Sequence, residues 1–272
     1  MALVPFPGAA RDDEDDRRLT ITDADDLEDS GKMSFLEHLD ELRKRLIQSI
    51  IGLAVGCAIA YIFIRRIFDF IMRPLQQMLP KGGTLIYTSG AEPFMLYLKI
   101  GFLAGLFISS PWVLWQVWLF IAPGLYSHEK KFAIPFVFLS SVFFILGGLF
   151  CHFVAFPWTW KFFISFSTNY MTFMPKIDEA FGLYTKMILG FGLIFEMPTL
   201  VFFLARLGII TAQFLLRYFK YAVLVIFIVA AVISPGTDAM SQLIMAVPML
   251  GLYAISIFIA WMFGKTRGPA AD

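Results

Sequence analysis

Phe181–Leu204 reads FGLYTKMILGFGLIFEMPTLVFFL, an apolar run with a carboxylate, Glu196, well inside it. About 20 predominantly apolar residues suffice to cross a bilayer, so this stretch spans one. An ionised carboxylate beside hydrocarbon is unfavourable by several kcal/mol. Glu196 is therefore expected to face other helices or a wet cavity, or to be neutral, and Ser, Thr or Lys side chains of neighbouring helices are its candidate partners. The other spans have to be arranged around that polar position.

The rest of the chain agrees with a membrane setting. Hydrophobic residues make up 58% and aromatics 17% of 272 residues, and the mean hydropathy is +0.73, outside the range of soluble globular domains. One compact helical membrane domain is expected over residues 33–264, between an acidic cytoplasmic tail, 1–32, and a short cytoplasmic tail, 265–272. The net charge of +1 conceals an asymmetry: Arg11–Ser30 holds ten acids and three bases, leaving 19 bases and 11 acids after it. The acidic tail has no basic segment followed by an apolar one, so it is not read as a cleaved signal peptide. Its composition predicts a disordered, solvated spacer. Cys57 and Cys151 both fall in apolar spans and read as small hydrophobes, not as a disulfide framework.

In chain order, MSFLEHLDELRKR (33–45) places Phe35, Leu36, Leu39 and Leu42, with Leu46 beyond, at helical spacing, predicting an amphipathic helix against the membrane surface. Ser34 with Glu37 forms a capping box, which leaves Glu41 as the freer carboxylate. Leu46–Ile64 is the first span, and Gly52 and Gly56 in it permit close helix contact. IRRIFDFIMRPLQQMLPKGG (64–83) is too interrupted to span and predicts an interfacial helix broken at Pro74. Glu92–Leu119 is the second span, with Gly101 and Gly105 four apart; its Trp112, Trp115 and Trp118 read as an interfacial belt. FIAPGLYSHEKK (120–131) returns the chain into a third span, Phe132–Phe156, and Phe162–Glu179 reads as a loop. After the fourth span and Arg206–Lys220, Tyr221–Ile233 and Met240–Phe263 form a hairpin around SPGTDA (234–239). Counted from Tyr218, the fifth span has at most 16 residues, about 24 Å of helix against a hydrocarbon thickness of about 30 Å.

Six spans put both termini on one side. That side carries 11 of the counted bases, at the N-terminal flank, the second and fourth loops and the C-terminal tail, against six on the other. The positive-inside rule then places the termini in the cytoplasm.

No catalytic or metal chemistry is legible. His38, His128 and His152 lie far apart, without HExxH or Cys/His ligand spacing. There is no phosphate-binding loop and no G-x-S-x-G. No cofactor and no enzymatic activity are expected. What remains on the cytoplasmic side is a pair of acids, Glu41 and Glu129, each among bases. Alone, each reads as a solvated ion pair. A proton-coupled small-molecule carrier working through Glu196 is the competing reading, although no inverted repeat or paired broken helices support it.

SFLEHLDELRKR, FIAPGLYSHEKK, FEMPTL and SPGTDAMSQ together resemble the TatC family of the twin-arginine protein translocase, collinearly from about Met33 to Phe263. The resemblance implies an all-α integral membrane protein of six transmembrane helices in a cupped bundle, the last two short. It implies a receptor in the inner membrane for folded preproteins bearing an Arg-Arg signal peptide. TatA-type and TatB-type single-span subunits would be its partners and the proton motive force its energy source. Carried across, Glu41 and Glu129 match the family's signal-binding acids, with Arg43 and Phe120 in the same motifs. Glu196 matches its intramembrane acid and Pro74 a proline of its external cap, while Asp238 and Gln242 match polar positions at the last hairpin, read as a docking surface for a partner helix. The chain departs at Ser127, where members often carry a base. The chemistry agrees with the match, because a guanidinium fork is held best by a carboxylate, and two arginines need two acids.

Overall fold

A computed structural model of the chain describes residues 35–79, 83–121, 133–168, 170–171, 173–234 and 239–264. The two tails, the Ser34 cap, Glu129 and Asp238 lie outside the described residues. The chain divides into two units, one ending at Leu46 and one beginning at Ile47.

In the first unit, the residues read as a surface helix are the opening turns of α1, Phe35–Ile62, which continues into the first span. The expectation of a separate interfacial helix is corrected. Nothing between Arg45 and Leu46 breaks helical geometry, neither Gly nor Pro, so backbone hydrogen bonding propagates through the change in polarity.

In the second unit, α2 (Ile64–Gln77) follows after one non-helical residue, Phe63. It is not broken at Pro74, which stands inside it. A proline only removes the bond its own N–H would have made to the carbonyl one turn back, and buried Ile71, Met72 and Leu75 hold the helix across that gap. The second span, α3 (Glu92–Ile121), starts on a cap of its own. Glu92 accepts from the backbone N–H groups of Thr88 at 3.2 Å and Ser89 at 3.1 Å, satisfying donors exposed before the first turn.

The third span is longer than expected. It runs through α4 (Ala133–Phe150), a π-helical turn at Cys151–Ala155 and α5 (Phe156–Ile164). Pro157 does not end it, because it directly follows the π-helical turn, whose wider register absorbs a missing backbone donor. The loop thus begins at Ser165. The fourth span is two helices, α6 (Ile177–Ile194) and α7 (Glu196–Arg206), interrupted at Phe195. Pro198 explains the interruption, since it cannot donate to the carbonyl of Ile194. Gly208, at φ +74°, turns the chain out of α7. A short α8 (Ala212–Arg217), capped by Thr211, leads to the last hairpin, α9 (Phe219–Ile233) and α10 (Ala239–Phe263). Of these two only α9 is short, with 15 residues against 25 for α10. The apolar run after Ala239 has no breaker except Pro248, which α10 accommodates in its interior.

Among the described residues, five helical segments are thus long and apolar enough to cross a membrane, and Phe219–Ile233 is a shorter sixth. The core is centred on the fourth span, whose Phe181, Tyr184, Met187 and Phe191 are at most 1% exposed. α6 packs on α3 and α4, and α7 on α4 and α10. The glycines read as close-contact sites face one another. A Cβ at Gly56 would stand 2.5 Å from the Gly105 carbonyl oxygen, and one at Gly105 would stand 2.5 Å from Cys57 Sγ. The tryptophans divide. Trp112 lies over Gly52 and donates to the Gln48 carbonyl at 3.0 Å, yet stays 49% exposed. Trp118, read as part of a belt, is instead 1% exposed and packs against Phe136 and Phe203 with ring centroids at 4.8 and 4.9 Å. For Trp118, ring packing outweighs interfacial solvation.

Candidate functional site

The break in the fourth span decides where Glu196 stands. Because α6 ends at Ile194, Glu196 opens α7 and its carboxyl lies at a helix N-terminus, where exposed N–H groups favour negative charge. α4 reaches that point because it has no side chain at Gly147. A Cβ there would meet the Phe191 carbonyl oxygen at 2.5 Å and Phe195 Cβ at 2.9 Å. Close approach of α4 brings Ser140, two turns earlier, to the acid, and its hydroxyl donates to Glu196 Oε2.

The acid is 8% exposed, and Oε1 has no hydrogen-bond partner among the described residues. Thr199, one turn further along α7, is also fully buried with its hydroxyl unpartnered. The same helices carry aromatic clusters, Trp118, Phe136 and Phe203 in one and the pairs Phe107–Phe144 and Phe150–Phe195 elsewhere. Glu196 therefore faces other helices, as its position demanded, with half of its acceptor capacity unused. The sequence carried a signal for its partner in Ser140-Ser141, two hydroxyls in an otherwise apolar span, but it could not say which helix they would face.

In the first unit, Glu41 forms an ion pair, as its basic neighbours suggested, but with little exposure to water. It pairs with Arg45 one turn on, at 3.2 Å, with side chains 14% and 20% exposed. This is the i,i+4 arrangement in which the acid precedes the base. Only Oε1 is used, and Oε2 is buried without a partner among the described residues. Arg43 is exposed. Phe120 is half-buried in the last turn of α3 and Pro74 half-buried in α2.

Gln242 differs from its expectation. It is half-buried, and its amide donates to the Phe227 carbonyl of α9 at 2.8 Å. The short fifth helix places a carbonyl within reach of α10, so the chain itself meets part of the hydrogen-bonding need assigned to a partner.

Six apolar helical segments, glycine-lined contacts and one buried carboxyl define a polytopic helical membrane protein with a polar site at depth. Comparison with known proteins gives the family. A family profile described as Sec-independent protein translocase protein (TatC) matches residues 37–248. The TatC of Koribacter versatilis is 44% identical over 233 residues, 85% of this chain and 86% of that one. The TatC of Helicobacter pylori strain J99 is also 44% identical, over 83% of this chain and 88% of its own. A crystal structure of the twin arginine translocase receptor TatC has a TM-score of 0.72 at 38% identity, covering 82% of this chain and 98% of that one. The chain belongs to the TatC family of Sec-independent protein translocase proteins. It is a transport component of the membrane and not an enzyme.

Proposed function

We propose that the chain is the receptor and core subunit of a twin-arginine translocase, binding the Arg-Arg signal peptides of folded preproteins for export. The observation that carries this reading is the family match over residues 37–248, together with the likeness to a solved protein called a twin arginine translocase receptor. Glu41 and Glu129 hold the two arginines, with Arg43 and Phe120 beside them in the same motifs. In support, Glu41 Oε2 is buried with no partner among the described residues, and a carboxylate oxygen in that state gains from a guanidinium donor. Glu196 provides the polar depth of the site, and Pro74 caps the external side. Asp238 and Gln242 mark the hairpin where TatA-type or TatB-type single-span helices dock, and exposed apolar side chains such as Val232 and Val247 support a helical partner there. The protein resides in the inner membrane with cytoplasmic termini, a placement supported by the 11 to six distribution of bases. The proton motive force drives the transport step.

Binding of Arg-Arg and Lys-Lys peptides to wild type, Glu41→Gln, Glu129→Gln and the double mutant tests the proposal. Losing one acid is expected to weaken Arg-Arg binding by about 1.5 to 3 kcal/mol, the range for hydrogen bonds to charged groups. Lys-Lys binds less well, because an ammonium cannot fork to both carboxylate oxygens. Unchanged Arg-Arg affinity in the double mutant would reject the assignment.

A further inference from the structure

The fourth span carries a second charge. Lys186 lies in α6 within the Ile177–Arg206 segment, and its side chain is exposed. No acid among the described residues pairs with it. Of the acids at the start of α6, Asp178 is held in an ion pair by Lys99 of α3, and Glu179, on the lysine's own face of the helix, stands about 10 Å away along the axis. An exposed, unpaired ammonium on a membrane span needs an anion or a route to water.

Its depth is set by helix geometry. The segment has 30 residues, about 45 Å of helix, so with the helix centred in about 30 Å of hydrocarbon some 7 Å projects at each end. Lys186 is nine residues, about 14 Å, from Ile177, which puts its Cα about 6 Å below the boundary. Helical side chains lean towards the N-terminus, so the lysine stem rises towards the membrane face where α6 begins. On that path lies Gly182, around which nothing stands within 4 Å of a Cβ position. The ammonium thus emerges at the level of lipid glycerol and phosphate groups.

Beside it lies an apolar groove between α3 and α6, with a volume of about 450 Å³. Leu98, Phe102 and Leu106 of α3, each one turn apart, form one wall; Phe181 and Leu189 of α6 form the other. Both helices belong to even-numbered spans and run in the same direction, so the groove deepens along both from the Lys99 end. Gly182 lies between the groove and the path of the lysine stem. Lys99 also lines the groove, but Asp178 neutralises it, so an apolar channel beside Lys186, which no acid among the described residues pairs, is complementary to a molecule with one anionic head and a hydrocarbon tail.

We propose that this groove is a binding site for an anionic phospholipid, one acyl chain lying between α3 and α6 and the phosphate held by Lys186. A net single negative charge neutralises the lysine, whereas a zwitterionic headgroup brings its own cation into competition.

Purified full-length protein in neutral micelles, titrated with phosphatidylglycerol or phosphatidylcholine and followed by its unfolding midpoint, tests the site. Phosphatidylglycerol is expected to bind wild type about tenfold more tightly. Lys186→Gln removes that preference and Lys186→Arg keeps it. Gly182→Leu, which retains the charge and fills the groove, weakens both lipids. Equal affinity in wild type, or a preference that survives Lys186→Gln, overturns the proposal. On unmodified protein, phosphatidylglycerol with a photoreactive acyl chain should label residues 98–106 or 181–189, and labelling confined elsewhere also overturns it. Protection of Lys186 from amine labelling in the assembled translocase without anionic lipid would assign the groove to an acid-bearing partner helix instead.

Discussion

The first and last helical hairpins of the membrane region solve the same packing problem differently. α1 and α3 meet through backbone. Gly56 and Gly105 bring main-chain atoms together, and Trp112 to Gln48 and Tyr61 to Leu98, both at 3.0 Å, tie the pair on either side. α9 and α10 have no such glycine contact, and Gly251 has nothing within 4 Å of a Cβ position. They are held by side chains, Gln242 reaching across to the Phe227 carbonyl and Phe219 lying against Tyr253. In lipid, where burial of apolar surface does not drive helices together, close backbone approach gains dispersion over many atoms, while a single amide gains one hydrogen bond. The first pair is therefore expected to be rigid and the last to be the more separable, which suits a hairpin offered to partners.

Six substitutions would break or sharpen that contrast. Gly56→Leu should be the most damaging, because the new side chain meets a carbonyl oxygen that cannot move aside. A loss of about 3 kcal/mol is expected in reversible unfolding from bicelles, the upper end of overpacking effects. Gly251→Leu, in open space, should stay within about 0.5 kcal/mol. Equal losses at the two glycines would end the distinction.

Ser140→Ala comes next. It strips Glu196 of its one hydrogen bond, so a loss of about 1 to 3 kcal/mol is expected by the same measurement. Glu196→Gln keeps an acceptor for Ser140, and the protein should fold normally yet fail in export after signal binding. Absent or unfolded Gln protein in membranes would instead make Glu196 a purely structural group.

Gln242→Leu should cost between about 0.6 and 1.7 kcal/mol, the span for interhelical hydrogen bonds in membranes. Cysteine pairs between α9 and α10 should then crosslink less selectively, and unaltered crosslinking would mean that apolar packing alone holds the hairpin. Lys99→Gln should matter least. The Lys99–Asp178 pair is half exposed on both sides, and such pairs contribute at most about 1 kcal/mol, less as salt rises.

What the sequence determined by itself is what depends on neighbours along the chain. Apolar runs gave the spans, because length against bilayer thickness is a local property. Gly52 and Gly56 announced a close contact, and Glu196 announced a buried polar site, because hydrocarbon tolerates neither exposed backbone nor a bare carboxylate. The four motifs around Glu41, Glu129, Glu196 and Asp238 announced the family. Only the tertiary structure decided which groups those residues would meet. Ser140 lies 56 positions before Glu196, and neither segment read alone shows the rotation of α4 that aligns them; Gly147 permits it by letting that helix close on α6. Trp118, read as part of a belt, turned inward because Phe136 and Phe203 of other helices pack against it, and Gln242 found a carbonyl in its own hairpin. Periodicity says which face of a helix is special. Its partner is chosen by packing among elements far apart in sequence, where small differences in shape outweigh the preference of any single side chain.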